Sequence, residues 1–397
     1  MAEQSHPRQA RWSFLALAAS LALGGCIPRS EPRQPPPPPP VQVPQEEPET
    51  VLPPTPGLPQ DETRNRVAVL VPLSGENGGV GRSIANAANL ALLDTGGERI
   101  RITVYDTAGG AAAAANEAIA EGNGLFLGPL LAEHVSEVAP IARGAGVPVI
   151  AFSNDVGVAG NGVYIMGFNP GQSIDRVVEH ARSQGVERFA GLIPDGVYGR
   201  RASQALIAAV ERTGGRMVAM QTYDRSPTSL RAAVTRLNAQ SGYDAMLIAD
   251  NGRIAIAAAP MIRSGPSGQA RILGTELWRA EPAVSKEPAL RGAWFATVSD
   301  TMFDQMRTRY RARYNLTPYR LGSLGYDAVL LAVRIAGDWR IGRPFPVNQL
   351  RSEEGFMGVD GAFRFGADGV AERSLEVLEV TENGFTVVSP APKGFED

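Results

Sequence analysis

The stretch 125–137, LFLGPLLAEHVSE, has the layout of an anion site. A short apolar run meets Gly128-Pro129, and a helix-like pattern starts a few residues later. A strand that feeds a helix in this way leaves unpaired backbone N–H groups at the loop, and these attract carboxylates and phosphates. The side chains there are Leu130, Leu131 and Ala132, so no hydroxyl assists the backbone. Other chemistry is scarce. Cys26 is the single cysteine in 397 residues, which excludes disulfides within the chain and cysteine-ligated metal sites. The three histidines, His6, His134 and His180, are far apart in sequence. No HExxH, GxSxG, SxxK or phosphate-loop pattern occurs. Gly75, Gly78, Gly79 and Gly81 lack the spacing of a phosphate loop and the Lys-Ser/Thr that would follow it. The expectation is a protein without catalytic residues, metal or cofactor. A formal charge of −3 with no basic run argues equally against nucleic acid as a partner.

A loop of this kind needs a sheet behind it, and the sequence supplies one. Strands are expected over 67–73, 100–105, 125–127 and 147–152, with helices over 81–93, 111–120 and 132–143. Short apolar strands bounded by glycine and separated by helices form a buried parallel sheet through right-handed crossovers. After Asn169-Pro170 the rhythm restarts. Helices over 173–183, 199–212, 229–237 and 253–263 alternate with strands over 188–193, 216–223, 245–249 and 272–273. A strand over 294–298, helices over 303–314 and 323–335, and a β-rich tail over 361–388 complete the chain. The roughly 330 residues after residue 66 exceed one ordinary core, so two lobes are expected. The fold class is then α/β and two-lobed, each lobe a doubly wound, mostly parallel sheet. Ligands of such sheets bind outside the carboxyl ends of the strands, which here means the cleft between lobes.

The N-terminus reads as a processing signal. His6, Arg8 and Arg11 precede an apolar run of 12 residues over 12–23, short of the ~20 that span a bilayer. Leu23-Gly24-Gly25-Cys26 resembles a bacterial lipobox. That resemblance implies a signal peptide over 1–25, cleavage before Cys26, and a membrane anchor of two or more acyl chains on Cys26. Ile27 in place of aspartate implies the outer membrane, with the chain facing the periplasm. Residues 26–63 have no apolar periodicity and include an unbroken proline run over 35–40. Such a lipid-anchored, Pro-rich linker buries no core and favours polyproline II, so it could reach ~100 Å from the membrane.

Several stretches resemble type I periplasmic binding proteins of the leucine-binding class. They are VAVLVPLSG (67–75), FAGLIPDGVYGRRASQALIAAVERTGG (189–215) and FDQMRTRYRARYNLTPYRLGSLGYDAVLLAV (303–333). The ending GFMGVDGAFRFGADGVAERSLEV (355–377) is similar to that class too. The resemblance implies lobe 1 over 66–169 plus 299–353 and lobe 2 over 170–298 plus 354–397. Crossings would then fall near Asn169, Ser299 and Glu354. It also implies a cleft set of Ser74, Leu130, Leu131, Ser153, Asn154, Tyr198 and Glu276. Amino-acid receptors of the class hold a carboxylate with hydroxyls and N–H groups, and an ammonium with an acid and aromatic walls. Ser153, Tyr198 and Glu276 match that pattern. Positions 131–135 depart from it, reading Leu, Ala, Glu, His, Val. Glu133 would also repel a carboxylate, by ~4 kcal/mol at 4 Å and an effective dielectric of 20.

LFLGPLLAEHVSEVAPIARGAGVPVIAFSND (125–155), taken with the lipobox and the proline tether, resembles the penicillin-binding-protein activators. These are outer-membrane lipoproteins that contact peptidoglycan synthases. The best-known members carry a helical-repeat domain where this chain has only its proline-rich segment. Two expectations follow. One is a non-enzymatic lipoprotein that binds and activates a peptidoglycan synthase (a penicillin-binding protein). The other is a substrate-binding lipoprotein of an ABC transporter, with Tyr198 and Glu276 serving an amino acid or small amide.

Overall fold

The structure is a computed structural model that describes residues 63–240 and 242–395. The leader, Cys26 and nearly all of the proline-rich segment lie outside the described residues.

Five parallel strands build the sheet of lobe 1. They are β1 (Asn65–Val71), β2 (Ile100–Asp106), β3 (Leu125–Leu127), β4 (Val149–Ala151) and β5 (Val163–Ile165), in the order β2-β1-β3-β4-β5. Helices α1 (Gly78–Asp94), α2 (Ala111–Ala120) and α3 (Ala132–Gly144) connect the first four. The two-residue period of a strand assigns side chains to faces. Val67, Val69, Val71, Leu125 and Leu127 enter one core, and Ala68, Leu70 and Phe126 enter the other. Strands covered on both sides read as unbroken apolar runs, which is why they stand out in the sequence. β5, three buried residues, is not among the strands expected from the sequence.

Lobe 2 repeats the scheme. Helices α4 (Pro170–Ser183), α5 (Val197–Arg212), α6 (Pro227–Asn238) and α7 (Gly252–Arg263) alternate with β6 (Arg188–Pro194), β7 (Arg216–Tyr223), β8 (Ala245–Ile248) and β9 (Arg271–Gly274). Asn169 starts α4, its side chain accepting the Gly171 N–H at 2.9 Å, with Pro170 in the first turn. Residues 276–290 form three short 3-10 turns before β10 (Trp294–Thr297).

The chain then returns to lobe 1 as α8 (Thr301–Tyr314) and α9 (Gly322–Ile335). α9 lies against α1 so closely that a Cβ on Gly325 would sit 2.3 Å from the Ile84 carbonyl oxygen. A small antiparallel sheet follows: β11 (Phe356–Gly358), β12 (Gly361–Phe365) and β13 (Ala371–Arg373). Finally β14 (Glu376–Thr381) and β15 (Gly384–Ser389) add antiparallel strands to lobe 2, giving the order β15-β14-β10-β9-β8-β6-β7.

Each crossing shows as a change of core. Met166 belongs to the lobe 1 core and Ile174 to that of lobe 2; Val298 belongs to lobe 2 and Phe303 to lobe 1. The third change lies between Ala371 and Leu375. This corrects the crossing at Glu354 read from the sequence, since residues 354–373 stay on lobe 1. Phe356, Phe363 and Phe365 pack with one another inside the lobe 1 core. Asp327 of α9 also holds the turn between β11 and β12, accepting the Val359 N–H at 2.6 Å and the Asp360 N–H at 3.3 Å.

Candidate functional site

On lobe 1 the loops after β3 and β4 are tied together by backbone. The Gly128 N–H donates to the Ile150 carbonyl at 2.8 Å, and the Phe152 N–H to the Pro129 carbonyl at 2.9 Å. Gly128 has φ +101°, and a Cβ there would lie 2.1 Å from the Leu70 carbonyl oxygen, so only glycine fits. These bonds bring Leu130 and Leu131 beside Ser153 and Asn154. Leu131 is the cap residue of α3 and supplies no side-chain bond to its N–H groups. Leu130 leans onto the lobe 1 core. Ser153 is buried, its hydroxyl accepting the Asp155 N–H at 3.1 Å. Asn154 is exposed, as is Ser74 in the turn after β1.

The same wall reaches across to lobe 2. Asp155 Oδ1 accepts the Gly157 N–H at 2.9 Å and Arg201 Nη2 of α5 at 3.0 Å. The Arg201–Asp155 pair therefore spans the two lobes.

On lobe 2, Tyr198 and Glu276 come together. The Tyr198 hydroxyl lies 3.2 Å from Thr275 Oγ1 and 3.4 Å from Glu276 Oε1. Ser173, which sequence reasoning missed, donates to Glu276 Oε2 at 2.6 Å. Burial pushes the Glu276 carboxyl above the usual range against the pull of these hydroxyls. Burial, and then the Glu276 charge, raise the Tyr198 phenol well above its ordinary value.

Glu276 also lines a pocket of about 220 Å³ at the hinge, where all three crossings contribute residues. Of the cleft set read from the sequence, Glu276 lines this pocket and Ser74, Leu130, Leu131, Ser153, Asn154 and Tyr198 do not. Phe168, Val298, Phe303 and Leu375 supply its apolar surface. Arg279, Arg307, Arg320 and Arg373 supply cations, with Asp300 and Glu276 as the acids. Arg320 pairs with Asp360 at 2.6 Å and lies 3.4 Å from Asp300, and its guanidinium stacks 4.1 Å above Phe303. Arg279 pairs with the other Asp300 oxygen at 2.5 Å. Arg373 is 8% exposed and donates to the Met166 carbonyl at 2.7 Å. Behind them, burial and then the Asp360 charge push Asp327 up to about 7.

Sequence reasoning missed these arginines, although one signal was present. In Ala371-Glu372-Arg373 the outer two residues share a face, and Ala371 is buried. A two-residue period therefore turns Arg373 inward. Arg320 gives no such signal, because it precedes α9 in a turn without a period.

Solved structures share this fold. A protein of Rhodospirillum rubrum assigned to a branched-chain amino acid ABC transporter superposes with a TM-score of 0.73 at 19% identity, covering 82% of this chain and 100% of that one. The LpoA (YraM) C-domain from Haemophilus influenzae, a regulator of PBP1A, superposes with a TM-score of 0.64 at 18% identity, again over 82% and 100%. At such identities the likeness is one of fold alone. Among curated proteins, an uncharacterised protein of Rickettsia prowazekii (strain Madrid E) is 22% identical over 181 residues, which is 45% of this chain. The match spans about half the length of that relative (48%). The periplasmic binding protein family model matches residues 65–385, and the chain belongs to that family.

Proposed function

We propose that this chain is a non-enzymatic lipoprotein of the outer membrane that regulates a peptidoglycan synthase by direct contact. Cys26 carries the lipid, and the proline-rich segment holds the two-lobed domain out into the periplasm. The observation that carries this reading is the lobe 1 wall. Where a receptor would grip an α-carboxylate with hydroxyls, this chain presents Leu130 and the uncapped Leu131, beside a wall joined to lobe 2 through Asp155–Arg201. The fold likeness to the LpoA C-domain, complete over that domain, supports the same reading.

A second reading rests on a different observation. Tyr198 and Glu276 meet on lobe 2 as an ammonium site would require, and the Rhodospirillum protein shares the fold. On that reading the chain delivers an amino acid or small amide to an ABC transporter.

Cross-linking of the full-length lipoprotein in its own cells, with mass spectrometry of the products, tests the first reading. The expected result is a peptidoglycan synthase whose glycan polymerisation rises when the purified chain is added. Recovery of transporter subunits alone, with no effect on any purified synthase, overturns it.

A further inference from the structure

We infer that the base of lobe 2 binds a phosphate group through Arg263, Arg271 and Arg291. The site lies at the far end of the sheet from the cleft. It does not involve the hinge, and it does not depend on the regulatory reading.

Topology brings the three arginines together. Arg263 closes α7, Arg271 opens β9, and Arg291 caps the 3-10 turn that leads into β10. The carboxyl ends of parallel strands face the cleft, so a residue that starts a strand lies on the opposite side. There the three side chains, with Gly268, Gln269 and Ala270, line a second cavity of about 340 Å³. No carboxylate lines it.

The cations are positioned by backbone more than they are neutralised. Arg263 Nε donates to the Ala289 carbonyl at 2.9 Å, and its Nη1 donates to the Gly268 and Ala270 carbonyls at 2.7 Å each. Arg271 Nη1 donates to the Gly292 carbonyl, and the guanidinium lies 4.0 Å over the Trp294 ring. Two acids are in reach from outside the cavity. Glu379 is 3.9 Å from Arg271 but already accepts the Trp294 indole N–H at 2.9 Å. Glu382 is 3.2 Å from Arg291 and is itself 72% exposed. Neither pairs with Arg263. Burial, and then the charge of Arg271, hold the Arg263 guanidinium below its ordinary range.

Donors remain for a ligand. Among the described residues Nη2 of Arg263 and Nη2 of Arg271 make no hydrogen bond, and neither nitrogen is sealed from solvent. A carboxylate offers two oxygens and one charge, whereas a phosphate ester offers three strong acceptors and about two charges. Three guanidinium groups from separate elements suit the second better. The cavity falls within the ~300–1,000 Å³ of small-molecule sites, which leaves room for a body attached to the phosphate. Gly268, Gln269 and Ala270 present no large apolar side chain, so that body is polar.

Calorimetric titration at low salt tests this on the full chain carrying Cys26→Ser, which removes the proposed acyl anchor. Inorganic phosphate and glycerol 3-phosphate should both bind, and acetate at least about tenfold more weakly. Gln269→Glu sets a negative charge at an exposed lining position and should weaken both phosphates by at least about tenfold. Arg291→Ala, also at an exposed position, should weaken them several-fold. Retention on phosphatidylcholine vesicles only when they contain phosphatidic acid supports the site with a lipid headgroup as its source. Binding of glycerol 3-phosphate without such retention supports it with a soluble one. No heat from either phosphate at millimolar concentration, equal affinity for acetate, or phosphate binding unchanged in both variants overturns the proposal. None of these outcomes bears on synthase cross-linking, so the two ideas fail separately.

Discussion

On the lobe 1 wall of the cleft, shape is held by backbone: Gly128 to Ile150, Phe152 to Pro129, and a glycine that no other residue can replace. The side chains at the tip, Leu130, Leu131 and Asn154, carry none of that burden. At the hinge the reverse holds. Arg279, Asp300, Arg320 and Asp360 form a chain of ion pairs in which each charge offsets a buried neighbour. A wall of the first kind can exchange its tips for another purpose while the loop keeps its form. A wall of the second kind cannot lose one charge without exposing the next. The difference shows how such a fold can keep the form of a cleft loop while the side chains at its tip vary.

The comparison breaks first at Arg320. Asp360 is fully buried, and removing its partner leaves an uncompensated charge, so Arg320→Ala should cost ~3–5 kcal/mol in urea unfolding. A cost below about 1 kcal/mol, the range of an exposed pair, would show that the hinge charges are not interdependent.

The pH dependence of stability sharpens the same point. Burial and Asp360 raise the Asp327 carboxyl from 3.8 to about 7. Between those values the folded state holds a proton that the unfolded state has released, so stability falls as pH rises through the window. The fall is expected across roughly pH 4 to pH 7. Asp327→Asn should flatten this slope. An unchanged slope would place the titration elsewhere.

The lobe 1 wall should respond in the opposite sense. Leu131 occupies the cap position of α3 with extended backbone and no side-chain bond. Leu131→Ser supplies that bond and should raise stability by up to ~1 kcal/mol. A loss of more than that would mean the leucine is needed for the fold. Smallest in stability is Arg201→Ala, because both partners of the Asp155 pair are partly exposed. It should cost no more than ~1 kcal/mol, yet enlarge the radius of gyration in solution scattering as the lobes part. An unchanged radius would mean that the pair does not hold them.

How far the sequence revealed this follows the same division. Strands buried on both faces, such as β1 and β3, announce themselves as apolar runs. α2 and β7 keep the limits their patterns suggest, Ala111–Ala120 and Arg216–Tyr223. The crossing that the resemblance implies near Glu354 falls instead between Ala371 and Leu375, because β11 to β13 belong to lobe 1. Their attachment to lobe 1 rests on the contact of Tyr164 with Phe365 and on Asp327, which no local pattern records. The resemblance singles out Tyr198 and Glu276 separately, while Ser173 lies 103 positions from Glu276 in sequence. The hinge pocket draws on all three crossings at once, so only the folded chain assembles it.

Calorimetric titration of the purified chain with each of the twenty protein amino acids tests the central claim most directly. With Leu130 and Leu131 in place of hydroxyls, no α-amino acid should bind more tightly than about millimolar, roughly −4 kcal/mol. Micromolar binding of any one of them, lost in Glu276→Ala, would contradict the account.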